Sequence, residues 1–407
     1  MGKKILTCFL CIICLLLSWP TGALAEEPLE LTAVSAILIE PKTGAVIYEK
    51  NADESLYPAS ITKIMTLILI YDALAEGKIT KDDVVTVSEY AASMGGSQVF
   101  LEAGEQQTVD TLIKCISVAS ANDGCVAMAE YIWGSEAAFV EKMNERAQGL
   151  GMTNTTFVNC CGLDTEGHCT TARDVALMSR ELTVKYPDIF SYTKIWMENI
   201  THVTARGSSE FGLANTNKLM KQYPYATGLK TGSTGLAKYC VSATASRDGM
   251  DLIAVVMAAA DYKVRFREAA ALLDYGFATC HVYTDPELPE LSPLPVRGGV
   301  QESVSLEYGE AFAWLITDGS RGDGIERTVE LDSEIEAPVE EGQSLGRLVY
   351  SLDGKELGQT EILAGESVER AGFRDYFRRA VRMLLHGNDE EGNSSRTDAA
   401  NMSDFTK

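Results

Sequence analysis

Tyr57-Pro58-Ala59-Ser60-Ile61-Thr62-Lys63-Ile64-Met65-Thr66 opens the longest apolar stretch with helical spacing between residues 33 and 280, and the fold is read outward from it. The Pro-Ala pair ahead of Ser60 predicts a helix running from Ile61 to Glu76. Ser60 then stands at its first turn and Lys63, three residues on, shares its face. Alone, the pair is explained by a helix cap and a solvated lysine, since a chain of 407 residues contains about one S-x-x-K by accident.

On the N-terminal side, Val34 to Glu40 and Ala45 to Tyr48 read as strands joined by a turn at Pro41-Lys42-Thr43-Gly44. On the C-terminal side, Thr108 to Ser120, Asp123 to Trp133 and Glu136 to Leu150 carry helical spacing. Tyr239 to Ala245 and Leu252 to Ala259 are apolar runs joined by Ser-Arg-Asp-Gly, a hairpin. Strands at both ends with helices between predict an α+β domain over 26–283 whose first and last hairpins share one antiparallel sheet.

After His281 the composition changes to prolines and short alternating runs, read as a separate small β domain over 285–370, sandwich-like in layout. Over 371–385, Phe373, Tyr376, Phe377, Ala380, Val381, Met383 and Leu384 fall on one arc of a helix, with Arg374, Asp375, Arg378, Arg379 and Arg382 opposite. A basic amphipathic helix of this kind suits an anionic membrane surface; packing on the β domain is the plainer alternative. The tail over 386–407 is polar and reads as disordered.

Residues 1–25 have two lysines, an apolar run from Ile5 to Trp19 and Ala23-Leu24-Ala25, a signal peptide with its cleavage site. The exported chain then carries 33 basic against 58 acidic residues, a net charge of −25 that excludes nucleic acid as a partner. Seven of the ten cysteines remain, so at least one thiol is unpaired or intermolecular. Cys160, Cys161, His168 and Cys169 lack any zinc-type spacing, so neither a metal nor another cofactor is assigned.

Two further motifs raise the Ser60–Lys63 pair above coincidence. Ser120-Ala121-Asn122 lies between two helical stretches, on a turn able to project side chains into a cleft. Lys230-Thr231-Gly232 precedes Ser233-Thr234 and an apolar strand, while the earlier Lys42-Thr43-Gly44 copy belongs to a hairpin turn and has no catalytic role. Serine needs a group to take its proton, and a buried lysine beside a second cation can do so. Ser60 is therefore the candidate nucleophile, Lys63 its proton acceptor, with Lys230 supplying the cationic field and Ser120 relaying a proton to the leaving amine. Asn122 is read as hydrogen-bonding a substrate amide. Lys230 and Thr231 would meet the terminal carboxylate of a peptide added to a strand edge, and the backbone N–H groups of Ser60 and Ser233 would form an oxyanion hole. No G-x-S-x-G, H-E-x-x-H, P-loop or G-x-G-x-x-G is present.

In this order the three motifs are those of penicillin-binding proteins and serine β-lactamases. With Ala36-Ile-Leu-Ile-Glu-Pro-Lys-Thr-Gly44, Gly96-Ser-Gln98 and Asn215-Thr-Asn217, nearly the whole chain resembles the D-alanyl-D-alanine carboxypeptidases, the low-molecular-mass penicillin-binding proteins of serine peptidase family S11. The resemblance implies a β-lactamase/transpeptidase-like catalytic domain with a helical subdomain, a small all-β domain and a C-terminal amphipathic helix. It also implies acylation of Ser60 by the penultimate D-alanine of a peptidoglycan stem pentapeptide, acylation of the same serine by β-lactams, and a peripheral place on the outer face of the cytoplasmic membrane or in the wall. Lys238 stands where the family more often has Gly. A β-lactamase would need a deacylating glutamate in an E-x-x-L-N-like context, which is absent; the motifs do not separate carboxypeptidase from endopeptidase, and a non-catalytic wall-binding relative is a further alternative.

Overall fold

A computed structural model describes residues 29–204, 206–317 and 322–386. The expected signal peptide and nearly all of the polar tail lie outside them. The chain forms two compact units, dividing after Ala278.

In the first unit, strands β1 (Ser35–Ile39) and β2 (Val46–Lys50) form the first hairpin. Its turn carries the discarded motif: the buried Glu40 carboxylate accepts the backbone N–H groups of Lys42 and Thr43, and Gly44 takes φ 73°. Helix α1 (Lys63–Ala75) follows a 3₁₀ turn at Ala59–Thr62, so the helix predicted from Ile61 starts with a tighter first turn. Ile64, Met65, Leu67, Ile68 and Ile70 are all within 1% of full burial, so α1 is apolar all round and runs through the core rather than along its surface.

The helix predicted over Thr108 to Ser120 is instead an α-helix over Val109–Lys114 widening to a π turn at Cys115–Ala119. It ends with Ser120 in the left-handed conformation, φ 64°. Helices α2 (Asn122–Trp133) and α3 (Glu136–Gly149) follow, α3 capped by the Ser135 hydroxyl on Ala138 N–H, and then α4 (Ala172–Lys185), capped by Thr171.

A two-stranded ribbon, β3 (Met197–Thr204) and β4 (Gly207–Ala214), precedes the meander β5 (Ala226–Thr234), β6 (Lys238–Arg247) and β7 (Met250–Ala259). β1 pairs antiparallel with β7, Ile37 opposite Val255, which joins the first and last hairpins in one five-stranded sheet of order β2-β1-β7-β6-β5. That is the α+β arrangement expected, and it leaves β5, bearing Lys230-Thr231-Gly232, at the sheet edge. Lys238 has φ 57°, which explains why a glycine suits that position. Helix α5 (Tyr262–Thr279) completes the unit.

The second unit is β-rich, with a four-stranded antiparallel sheet of Leu306–Tyr308, Lys355–Ala364, Ser344–Leu352 and Ile325–Leu331, a three-stranded sheet and a two-stranded ribbon. Its core includes Phe312 stacked on Tyr350 with centroids 4.0 Å apart. Helix α6 (Phe373–His386) follows. Phe373 is 85% exposed, and Tyr376, Phe377 and Val381 are also exposed, while Arg379 on the opposite side donates to the carbonyls of Gly299 and Val300. The helix is thus held to its own unit by its basic side, with its aromatic face outward. Among the described residues no helix is long and apolar enough to cross a membrane.

Candidate active site

Two lysines carry the site, and both are buried to within 1%. An ammonium so placed is costly unless its donors are met. Lys63 Nζ meets three neutral oxygens: Ser60 Oγ at 3.0 Å, Asn122 Oδ1 at 2.7 Å and the Cys161 carbonyl at 2.6 Å. Lys230 Nζ donates to Ser120 Oγ at 2.9 Å and to the Thr231 carbonyl at 3.0 Å. Burial first, then the neighbouring Lys63 ammonium and Arg265, hold Lys230 well below the usual lysine range.

The three motifs converge through backbone geometry. Ala59, with φ 48°, turns the chain into the 3₁₀ turn that carries half-buried Ser60. The left-handed Ser120 brings its hydroxyl to Lys230. Asn122 opens α2 with its backbone N–H on the Ser97 carbonyl and its side-chain Nδ2 on Gly95 O, 2.6 Å away. Its amide thus bridges the 95–101 loop to Lys63, and a substrate amide would compete with Gly95. Gly232 is required by close approach: a Cβ there would lie 2.9 Å from Ser60 N and 3.0 Å from Ile61 N. Thr231 Oγ1 donates to Thr216 Oγ1 at 2.8 Å, within the Asn215-Thr-Asn217 segment, and Ser233 beyond it is exposed.

Several residues that support the site carried no signal in the sequence. Asn159 Oδ1 accepts three successive backbone N–H groups, Cys161 to Leu163, and so shapes the loop whose Cys161 carbonyl meets Lys63. His168 accepts Val158 N–H on Nδ1, so its Nε2–H donates to Thr62 Oγ1, in the nucleophile's own turn, and burial lowers its pKa to about 4. Arg265 donates to the carbonyls of Gly232 and Cys240 behind β5. Asp164 takes Thr234 Oγ1 and Leu236 N–H, tying the end of β5 to the same loop. These contacts join residues far apart in sequence, largely through main-chain atoms. All seven cysteines after residue 28 are free thiols.

A serine held by a buried lysine, with a second lysine and serine opposite and no histidine base, defines a serine acyl-transferring hydrolase. Residues 22–261 match the family model described as D-alanyl-D-alanine carboxypeptidase, and residues 281–370 match the C-terminal domain of penicillin-binding protein 5. The chain is 42% identical over 362 residues to D-alanyl-D-alanine carboxypeptidase DacF of Bacillus subtilis, covering 89% of this chain and 91% of the relative. It is 35% identical over 378 residues to DacC of Escherichia coli, covering 90% and 92%. The solved structure of penicillin-binding protein 5 from Haemophilus influenzae superposes with a TM-score of 0.69 at 32% identity, covering 84% of this chain and 99% of that one. The chain belongs to the D-alanyl-D-alanine carboxypeptidase family, and its activity is that of a serine-type D-Ala-D-Ala carboxypeptidase.

Proposed function

We propose that the chain trims the terminal D-alanine from peptidoglycan stem pentapeptides through an acyl-enzyme on Ser60. The observation that carries this assignment is the 3.0 Å contact of Ser60 Oγ with the buried Lys63 Nζ. Lys63, as free amine, takes the hydroxyl proton while Oγ attacks the carbonyl carbon of the penultimate D-alanine. The oxyanion is held by the backbone N–H groups of Ser60 and Ser233. Collapse breaks the peptide C–N bond, and Ser120 passes a proton to the departing amine. Water then attacks the ester and frees a tetrapeptide. Lys230, whose charge is easily restored by a carboxylate, and Thr231 hold the substrate's terminus, while Asn122 orients its amide. β-Lactams acylate the same serine.

The boundaries 26–283 and 285–370 are offered as the catalytic and β domains. The exposed aromatic face of α6 supports an exported protein lying peripherally on an anionic membrane, outside the cytoplasm. The test is to incubate wild type and Ser60→Ala with a diacetyl-Lys-D-Ala-D-Ala peptide and with a fluorescent penicillin. D-Alanine release and labelling are expected only from wild type; no release from wild type sinks the substrate assignment, and labelling of Ser60→Ala sinks the nucleophile.

A further inference from the structure

Beside Lys63 the fold buries two adjacent thiols for which hydrolysis has no use. Cys160 and Cys161 are both within 1% of full burial. Cys160 Sγ and Cys161 Sγ lie 3.6 Å apart. Glu136, in the first turn of α3, completes the group: a carboxylate oxygen and the sulfurs of Cys160 and Cys161 all fall within 4.8 Å of one another.

The spacing discriminates between two uses of such thiols. Two thiolates bound at ~2.3 Å to one tetrahedral ion lie ~3.8 Å apart, close to the gap observed. A disulfide needs about 2.0 Å. Two sulfurs and one carboxylate oxygen make a three-donor set of the kind that zinc and softer divalent ions take, with water as the fourth ligand. Glu136 is half-buried and its second oxygen accepts from the exposed Tyr90 hydroxyl at 2.6 Å, which marks a way in from the surface.

We propose that Glu136, Cys160 and Cys161 form a binding site for one thiophilic divalent cation. Each coordinating thiol releases its proton to solvent as the metal–sulfur bond forms, with no oxidation. Coordination also ends the Cys161 Sγ contact with the Asn122 carbonyl at 3.4 Å, on the same residue as the side chain that meets Lys63.

The test titrates the reduced, metal-free full chain with Cd²⁺ alone, followed by native mass spectrometry and thiolate-to-cadmium ultraviolet absorption. One ion per chain is expected, with an absorption band lost in Cys160→Ala and kept in Cys169→Ala. Glu136→Gln is expected to weaken binding by at least about tenfold. No band in wild type, or equal binding in Glu136→Gln, overturns the site.

Discussion

At the residue scale the two lysines are buried against neutral oxygens rather than carboxylates. With no carboxylate to oppose it, burial holds Lys230 well below the usual lysine range. Lys230→Ala is expected to reduce peptide turnover on the order of a hundredfold or more, since it removes the proposed partner of the substrate carboxylate and leaves Ser120 Oγ without its donor. Steady-state kinetics on the peptide check this. His168 gives a sharper test. Its pKa falls from 6.5 to about 4 on folding, so the folded state prefers the neutral ring. The stability it lends is complete above pH 6.5 and is lost as pH falls toward 4, up to about 3 kcal/mol. Protonation would also set an N–H at Nδ1 against Val158 N–H and disturb Thr62. Denaturant melts of His168→Gln between pH 7 and 4 should show a flatter acid loss than wild type.

At the scale of elements, the nucleophile turn and strand β5 are pressed together where only glycine fits. Gly232→Ala is expected to cut penicillin acylation by roughly ten- to a hundredfold with a smaller effect on melting temperature, because the added carbon pushes on the turn of Ser60 at Ser60 N, Ile61 N and Ala59 Cβ. Labelling rates measured beside thermal melts separate the two. The loop bearing Gly95 and Ser97 is held by Asp123, whose buried carboxylate accepts from the N–H groups of Val99, Leu101 and Gly124. Asp123→Ala strands those donors and should cost about 2–3 kcal/mol in chemical denaturation. The sequence placed the Ser60 helix correctly but missed the π turn before Ser120. Apolar periodicity does not reveal whether a helix closes every third, fourth or fifth residue.

On the scale of the whole molecule, the buried-lysine site and the exposed aromatic face of α6 belong to different units. Phe373→Glu with Phe377→Glu is expected to abolish sedimentation with anionic vesicles while leaving the rate on a soluble peptide within about twofold, because both rings point to solvent. Cosedimentation and D-alanine release measured on one preparation check this. The sequence by itself determined the pairing of Ser60 with Lys63 on one turn, the α+β class, the change to β structure after His281 and the amphipathic face of α6, since each is written in local spacing and composition. Only the tertiary structure decided that Lys63 leans on the Cys161 carbonyl, that His168 braces the turn of Ser60, that burial holds Lys230 well below the usual lysine range, and that Glu136, Cys160 and Cys161 meet. Those contacts are made by main-chain atoms and by side chains tens of residues apart, and burial, which sets their energies, is a property of the folded chain alone.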